Sequence, residues 1–167
     1  MIGNSAKLGK GVYVAPNAVV IGDVEVGEGS SIWYNVVLRG DVNSIKVGKR
    51  TNIQDGTIIH SDSRSMVVIG DEVSIGHSCM VHGCRIEDNA LIGIGAVVLT
   101  GAVVGGSSLV AANSVVTKDT IIPPRSFVVG TPAKFKDSVS EDQLKYMDAA
   151  VASYVRLSKR YLKGEFP

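Results

Sequence analysis

Aromatic residues, cysteines, prolines and long apolar runs are all scarce in this chain. Only 5% of its 167 residues are aromatic, with one tryptophan, two cysteines, five prolines and three histidines. Two cysteines are too few to staple a disulfide scaffold and fit a reducing, cytoplasmic setting. Seventeen basic residues meet sixteen acidic ones for a net charge of +1, and no block of one sign stands out. A surface that tracks phosphates is therefore not expected, and nucleic acid is a poor first partner. Gly, Ser, Asn or Asp interrupts every apolar run before it could cross a bilayer, so no membrane association is expected. Met1 to Gly11 lacks a charged head followed by an apolar stretch, so no secretory signal is expected either. The length suits one domain with a substantial core. What the chain does have is 19 glycines set among many Val and Ile.

A repeat accounts for that mixture. Aliphatic residues fall six apart at Val14, Val20, Val26, Ile32 and Leu38, then at Val47, Ile53 and Ile59, then at Ile69, Ile75 and Val81. After one short step they run from Ile86 through Ile92, Val98, Val104, Val110, Val116 and Ile122 to Val128. Four residues after most anchors stands something small or β-branched, such as Ala18, Ser30, Thr51, Cys79, Ala96 or Ser114. Neither a helix nor a plain strand repeats at six, whereas a short strand followed by a corner does. The anchor and the small residue then point inward, the residue after each anchor points outward, and Gly, Asn or Asp serves the corners, as at Asn17, Asp23, Gly29, Asn35, Asp71, Asn89 and Asn113. Cys79 and Cys84 fall at inward positions, as small buried hydrophobes. Three strands close one triangular coil. The pattern resembles the left-handed parallel β-helix of hexapeptide-repeat proteins over about residues 11–131, and the handedness comes from that resemblance. The expected fold is thus all-β, a β-helix domain of about six coils over residues 1–134, followed at 135–167 by a linker and one amphipathic α-helix packed on the β-helix. The helix is expected at about 140–163, opened by the capping box of Ser140 and Gln143 and carrying an apolar face from Leu144 to Leu162.

The places where the repeat breaks are the informative ones. Leu38 and Val47 lie nine apart rather than six, and Ile59 and Ile69 lie ten apart, so the corners near Asp41–Ser44 and Ser61–Met66 are enlarged. Two loops projecting from one edge are expected there, and loops on a rigid scaffold are where function concentrates. Three anchors to a coil place Arg39, His60 and His82 in successive coils on one outer face. Stacked strands lie about 4.8 Å apart, so His60 and His82 can converge on one metal ion. His77 lies around the edge of the prism and cannot obviously reach that ion from the same chain. A threefold oligomer would bring in a neighbour's His77, which points to a metal between subunits.

The segments Arg39-Gly40-Asp41, Asn52-Ile53-Gln54-Asp55-Gly56, His60, Gly76-His77 and His82-Gly83-Cys84 resemble the γ-class carbonic anhydrase family. The resemblance implies a homotrimer binding zinc, or in some settings iron or cobalt, through His60 and His82 of one chain and His77 of the next. It implies reversible hydration of carbon dioxide to bicarbonate, with Gln54 hydrogen-bonding the ligand on the metal and Arg39, Asp41 and Asp55 forming an ion-pair cluster between subunits. The well-known active members carry glutamates in their two loops, one of them a proton shuttle. Here Val42 follows Asp41, and the second loop reads Ser61-Asp62-Ser63-Arg64-Ser65. Asp62, Tyr154 or external buffer is left to move protons, and members with this short-loop pattern include weak or inactive proteins. Trp33 and Tyr34 are expected at a trimer contact or rim. Two alternatives remain: an acyltransferase using acetyl-CoA on the same prism, and a metal-binding trimer acting as an assembly subunit.

Overall fold

The computed structural model describes residues 1–166 and shows a parallel β-solenoid of about seven turns with a C-terminal helix along its side. The period-six reading undercounts by one turn, because the first strands, from Lys7–Leu8 onward, already form ladder pairs. The wall that starts at Tyr13–Val14 continues through Ser31–Ile32, Asn52–Ile53, Ser74–Ile75, Leu91–Ile92 and Leu109–Val110 to Ser126–Val129. The second wall stacks Val37, Ile58–His60, Met80–His82, Val97–Val98 and Val115–Val116, and the third stacks Ile45–Val47, Val67–Ile69, Arg85–Ile86, Val103–Val104 and Ile121–Ile122.

The inward residues are those the spacing selects. Ile32, Leu38, Ile53, Ile59, Ile75, Val81, Ile86 and Ile92 are wholly buried, and Ala18, Val36, Thr57 and Ala96 fill the corners between them. Each buried aliphatic side chain contributes about 1.5–3 kcal/mol of transfer free energy. The inward hydroxyls are answered by backbone: Thr57 donates to the Gly76 carbonyl and Ser30 to that of Gly48, both one coil on. The corners are tight turns whose second residue is left-handed, as at Asn35, Asn89 and Asn113. At Asp71 that angle passes to its neighbour Glu72, and Asn17 and Asp23 do not adopt it.

Three expectations change. The first enlarged corner is a bulge within a strand rather than a free loop: Val37–Val47 runs through it, with Gly40 paired to Gly22, Ile45 paired to Val24 and Val67, and Asp41–Ser44 standing outside the ladder opposite the single Asp23. The proposed linker after residue 134 contains a strand, Lys134–Ser138, which turns back antiparallel on Ser126–Val129. Trp33 is no rim residue. It is 3% exposed beneath the helix, its indole N–H donating to Ser31 Oγ and its ring edge-on to Tyr154 and Tyr161 at 5.3 and 5.2 Å.

The helix, Glu141–Leu162, has the expected capping box: Ser140 Oγ accepts from the Gln143 N–H while Gln143 Oε1 accepts from the Ser140 N–H. It packs on the first wall of its own chain through Met147, Val151 and Ser158, and Leu162 is left exposed. Among the described residues no helix is long and apolar enough to cross a membrane.

Candidate metal centre

The second wall puts two histidines in one ladder. Arg39, His60 and His82 are directly paired in successive strands, as the register of the anchors requires. The rings of His60 and His82 lie 5.2 Å apart, with Nδ1 of His60 3.2 Å from Nε2 of His82. On its other side, His60 Nε2 meets Asp41 Oδ1 at 3.2 Å. Arg39 Nη1 donates to both Asp41 oxygens at 3.0 and 2.8 Å, and this guanidinium, with help from His60, holds the Asp41 carboxyl below the usual carboxylate range. A carboxylate only accepts, so the proton of His60 belongs on Nε2 and its Nδ1 turns a bare lone pair toward His82. Two nitrogens 3.2 Å apart can both lie about 2.0–2.1 Å from one tetrahedral ion. The pair fits a shared metal.

His77 stands at the opposite edge of the same wall. It occupies the first position of the corner after Ser74–Ile75, with Ser78 taking the left-handed second position. The neighbouring coil offers Asp55 at the equivalent corner, since Ile53 pairs with Ile75. Asp55 Oδ2 lies 2.9 Å from His77 Nδ1, while Oδ1 accepts from the Tyr34 N–H at 3.3 Å. Nδ1 is thereby committed, and Nε2 is turned toward the helix, 3.4 Å from the Tyr154 hydroxyl. Five residues separate His77 from His82, a left-handed Ser78 and the strand Met80–His82 among them, a span of at most about 16 Å. Among the described residues of one chain no three His, Cys, Asp or Glu side chains come together to hold a metal.

The remaining sequence-selected residues divide between these two edges. Arg39 and Asp41 sit with His60, whereas Asp55 sits with His77, so one chain does not gather all three into a cluster. Gln54 is expected to face outward, yet it is nearly buried; its Nε2 donates to Asn52 Oδ1 at 3.0 Å, and Asn52 donates on to Ser74 Oγ at 2.8 Å. With His77 and Tyr154 it lines a cavity of about 510 Å³ under the helix, whose other walls include Leu91, Leu109 and Phe127. Burial, with the charge of Asp55, raises the Tyr154 hydroxyl above its ordinary range. Asp62 moves the other way: hydrogen bonds from the Arg64 and Ser65 N–H groups lower its carboxyl, with Thr100 adding to them. A proton shuttle works best near the operating pH, and neither Tyr154 nor Asp62 is shifted toward neutrality. Cys79 and Cys84 are buried as expected, and burial pushes their thiols up to about 11 and about 12.

Thr100 is the residue that spacing could not select. It occupies an ordinary corner position after Val98, and its hydroxyl lies 2.9 Å from His82 Nδ1.

The model for "Bacterial transferase hexapeptide (six repeats)" matches residues 5–40. Over 152 residues the chain is 50% identical to the "Probable carbonic anhydrase" of Methanocaldococcus jannaschii, covering 91% of this chain and 96% of that one. It is 45% identical over 156 residues to "Gamma carbonic anhydrase 2, mitochondrial" of Arabidopsis thaliana, covering 90% of this chain but 56% of the plant protein's length. Among solved structures, a hexapeptide transferase family protein from Anaplasma phagocytophilum superposes with a TM-score of 0.89 at 40% identity, over 93% of this chain and 92% of the other.

Proposed function

Because the chain belongs to the hexapeptide-repeat proteins close to the γ-class carbonic anhydrases, we propose that it hydrates carbon dioxide reversibly at zinc sites between the subunits of a homotrimer. His60 and His82 of one subunit and His77 of the partner subunit would hold the ion. The observation that carries this reading is the hydrogen bonding of the three histidines. His60 leans on Asp41, His77 on Asp55, and His82 on the hydroxyl of Thr100. Each ring has a polar partner on one nitrogen, the orientation usual for metal-binding histidines.

The outer surface supports the trimer. Between the His77 edge and the His60–His82 edge, the second wall presents Val19, Val37, Ile58, Met80, Val97 and Val115 in one unbroken ladder. Ile58 and Met80 are more than a third exposed in the single chain. A head-to-tail contact repeated around a threefold axis would cover that strip and set the His77 edge of one subunit against the His60–His82 edge of the next.

Bound by three neutral imidazoles, zinc would lower the pKa of a water to about 7 and so supply hydroxide as the nucleophile for carbon dioxide at neutral pH. The chain's own residues orient and exclude. Gln54 spends one amide hydrogen on Asn52, which fixes the amide beside His77 with its second hydrogen and carbonyl oxygen available to a ligand. Arg39 keeps Asp41 ionised, and Asp41 in turn keeps the proton of His60 on Nε2. Tyr154, held protonated, offers a hydroxyl beside His77 rather than a base. Protons are left to external buffer. The test is stopped-flow hydration by zinc-loaded protein at several buffer concentrations, with His82→Ala as control. A rate above the control that climbs with buffer is expected; a rate equal to the control with zinc bound would remove the enzyme reading.

A second reading, acyl transfer, draws on the His77–Asp55 pair at the end of the apolar cavity under the helix, where an imidazole could act as general base. Consumption of acetyl-CoA that survives chelation would favour it.

A further inference from the structure

We infer that Asp62 and Thr100 form a positioning pair for His82, rather than a route for protons. The inference rests on the reading of His82 as a metal ligand and deepens it. The second enlarged corner is stitched to the first: Ser61, wholly buried, donates to the Asn43 carbonyl and accepts from the Asn43 N–H, and the Asn43 amide donates to the Asp62 carbonyl. This fixes where Asp62 stands. Its Oδ1 accepts from the N–H groups of Arg64 and Ser65, each at 2.9 Å, closing the turn. Its Oδ2 accepts from the Thr100 hydroxyl at 3.2 Å, across 38 residues of sequence. Both oxygens are occupied, and the side chain has no free swing toward the site.

The direction of the chain of hydrogen bonds follows from chemistry. An ionised Asp62 can only accept, so the single hydroxyl proton of Thr100 goes to it. The Thr100 oxygen is then an acceptor for His82, whose proton must sit on Nδ1, 2.9 Å away. His82 Nε2 is left unprotonated, facing His60 Nδ1. His60 and His77 receive this orientation directly from Asp41 and Asp55, and His82 receives it through one hydroxyl. Gly83 makes room for the arrangement: with φ at +51°, a Cβ there would lie 3.1 Å from Ser65 Cβ and 3.3 Å from Thr100 Oγ1.

Three variants test the assignment by zinc affinity, measured in competition with a chromophoric chelator. Thr100→Val keeps the shape and removes the hydroxyl. Asp62→Asn keeps the turn-closing oxygen but offers Thr100 a donor where it had an acceptor, which frees the Thr100 proton to go to His82 Nδ1 and favours the tautomer with its proton on Nε2. Both are expected to weaken zinc binding about 10- to 100-fold, the usual cost of losing an outer partner of a ligand histidine. Thr100→Ser, which restores the hydroxyl, should recover most of the loss. Wild-type affinity in Thr100→Val would overturn the inference, as would an Asp62→Asn variant with wild-type affinity whose rate at low buffer alone falls, the signature of a shuttle. Failure of the metal reading itself looks different: His82→Ala would then retain zinc, or the unaltered protein would hold none.

Discussion

The second and third walls of the prism share one inner construction and differ outside. Inward, both present fully buried aliphatics, Leu38, Ile59 and Val81 on one, Ile45, Val67 and Ile86 on the other. Outward, the second wall shows Val, Ile and Met along the ladder from Val19 to Val115, beside the Arg39–His60–His82 ladder at its edge, while the third pairs Lys7 with Glu25, Glu25 with Lys46, Lys46 with Val68 and Val68 with Arg85. Lys7 and Glu25 form an exposed ion pair at 2.8 Å, a feature of a face meant for water. Inner residues repeat because every coil needs the same core; outer residues are free to say what each wall meets. The histidines stand at the two edges of the apolar wall, so the proposed metal and the proposed trimer contact fall on one surface.

The sharpest way to break this contrast is at the histidines. His60→Ala or His82→Ala should remove bound zinc, read by elemental analysis; unchanged zinc in either variant would sink the assignment. Next in size, Ile58→Glu with Met80→Glu should turn the trimer into monomers by light scattering, whereas Lys46→Glu with Arg85→Glu on the third wall should leave the trimer intact. Equal behaviour of the two double variants would erase the distinction between the walls. The helix-covered wall offers a separate measure: Trp33→Ala should cost about 3–5 kcal/mol in denaturant unfolding, typical of emptying a buried aromatic site. Smallest of all, Cys79 and Cys84 should react negligibly with a thiol reagent in the native protein, since burial keeps both thiols protonated at neutral pH. Ready labelling would mean the coils open.

The inner ladder was legible in the sequence because one spacing governs every coil, and the helix was legible because Ser140 and Gln143 mark its start and an apolar face follows. The pairing of His60 with His82 came from the same register. Other features left no periodic trace. Lys134–Ser138 is exposed along its whole length and is held by backbone pairing, so no burial pattern announces it. The strand resumes after Asp41–Ser44 because its two arms are paired on either side of that insertion, Gly40 with Gly22 and Ile45 with Val24 and Val67, a fact of three coils rather than of one. Trp33 meets Tyr154 and Tyr161, and His77 meets Tyr154, across more than seventy residues. Thr100 looks like any corner threonine until the Asp62 turn folds against it.

The central claim, a metal shared between neighbours, is tested most directly by mixing two inactive parents. His77→Ala trimers and trimers carrying His60→Ala with His82→Ala are each expected to hold no zinc. Co-refolded in equal amounts, they should regain about one site in four, since a head-to-tail contact is whole only when an intact His60–His82 edge meets an intact His77 edge. Zinc in either parent alone, or none in the mixed trimers, would contradict a site built from two subunits.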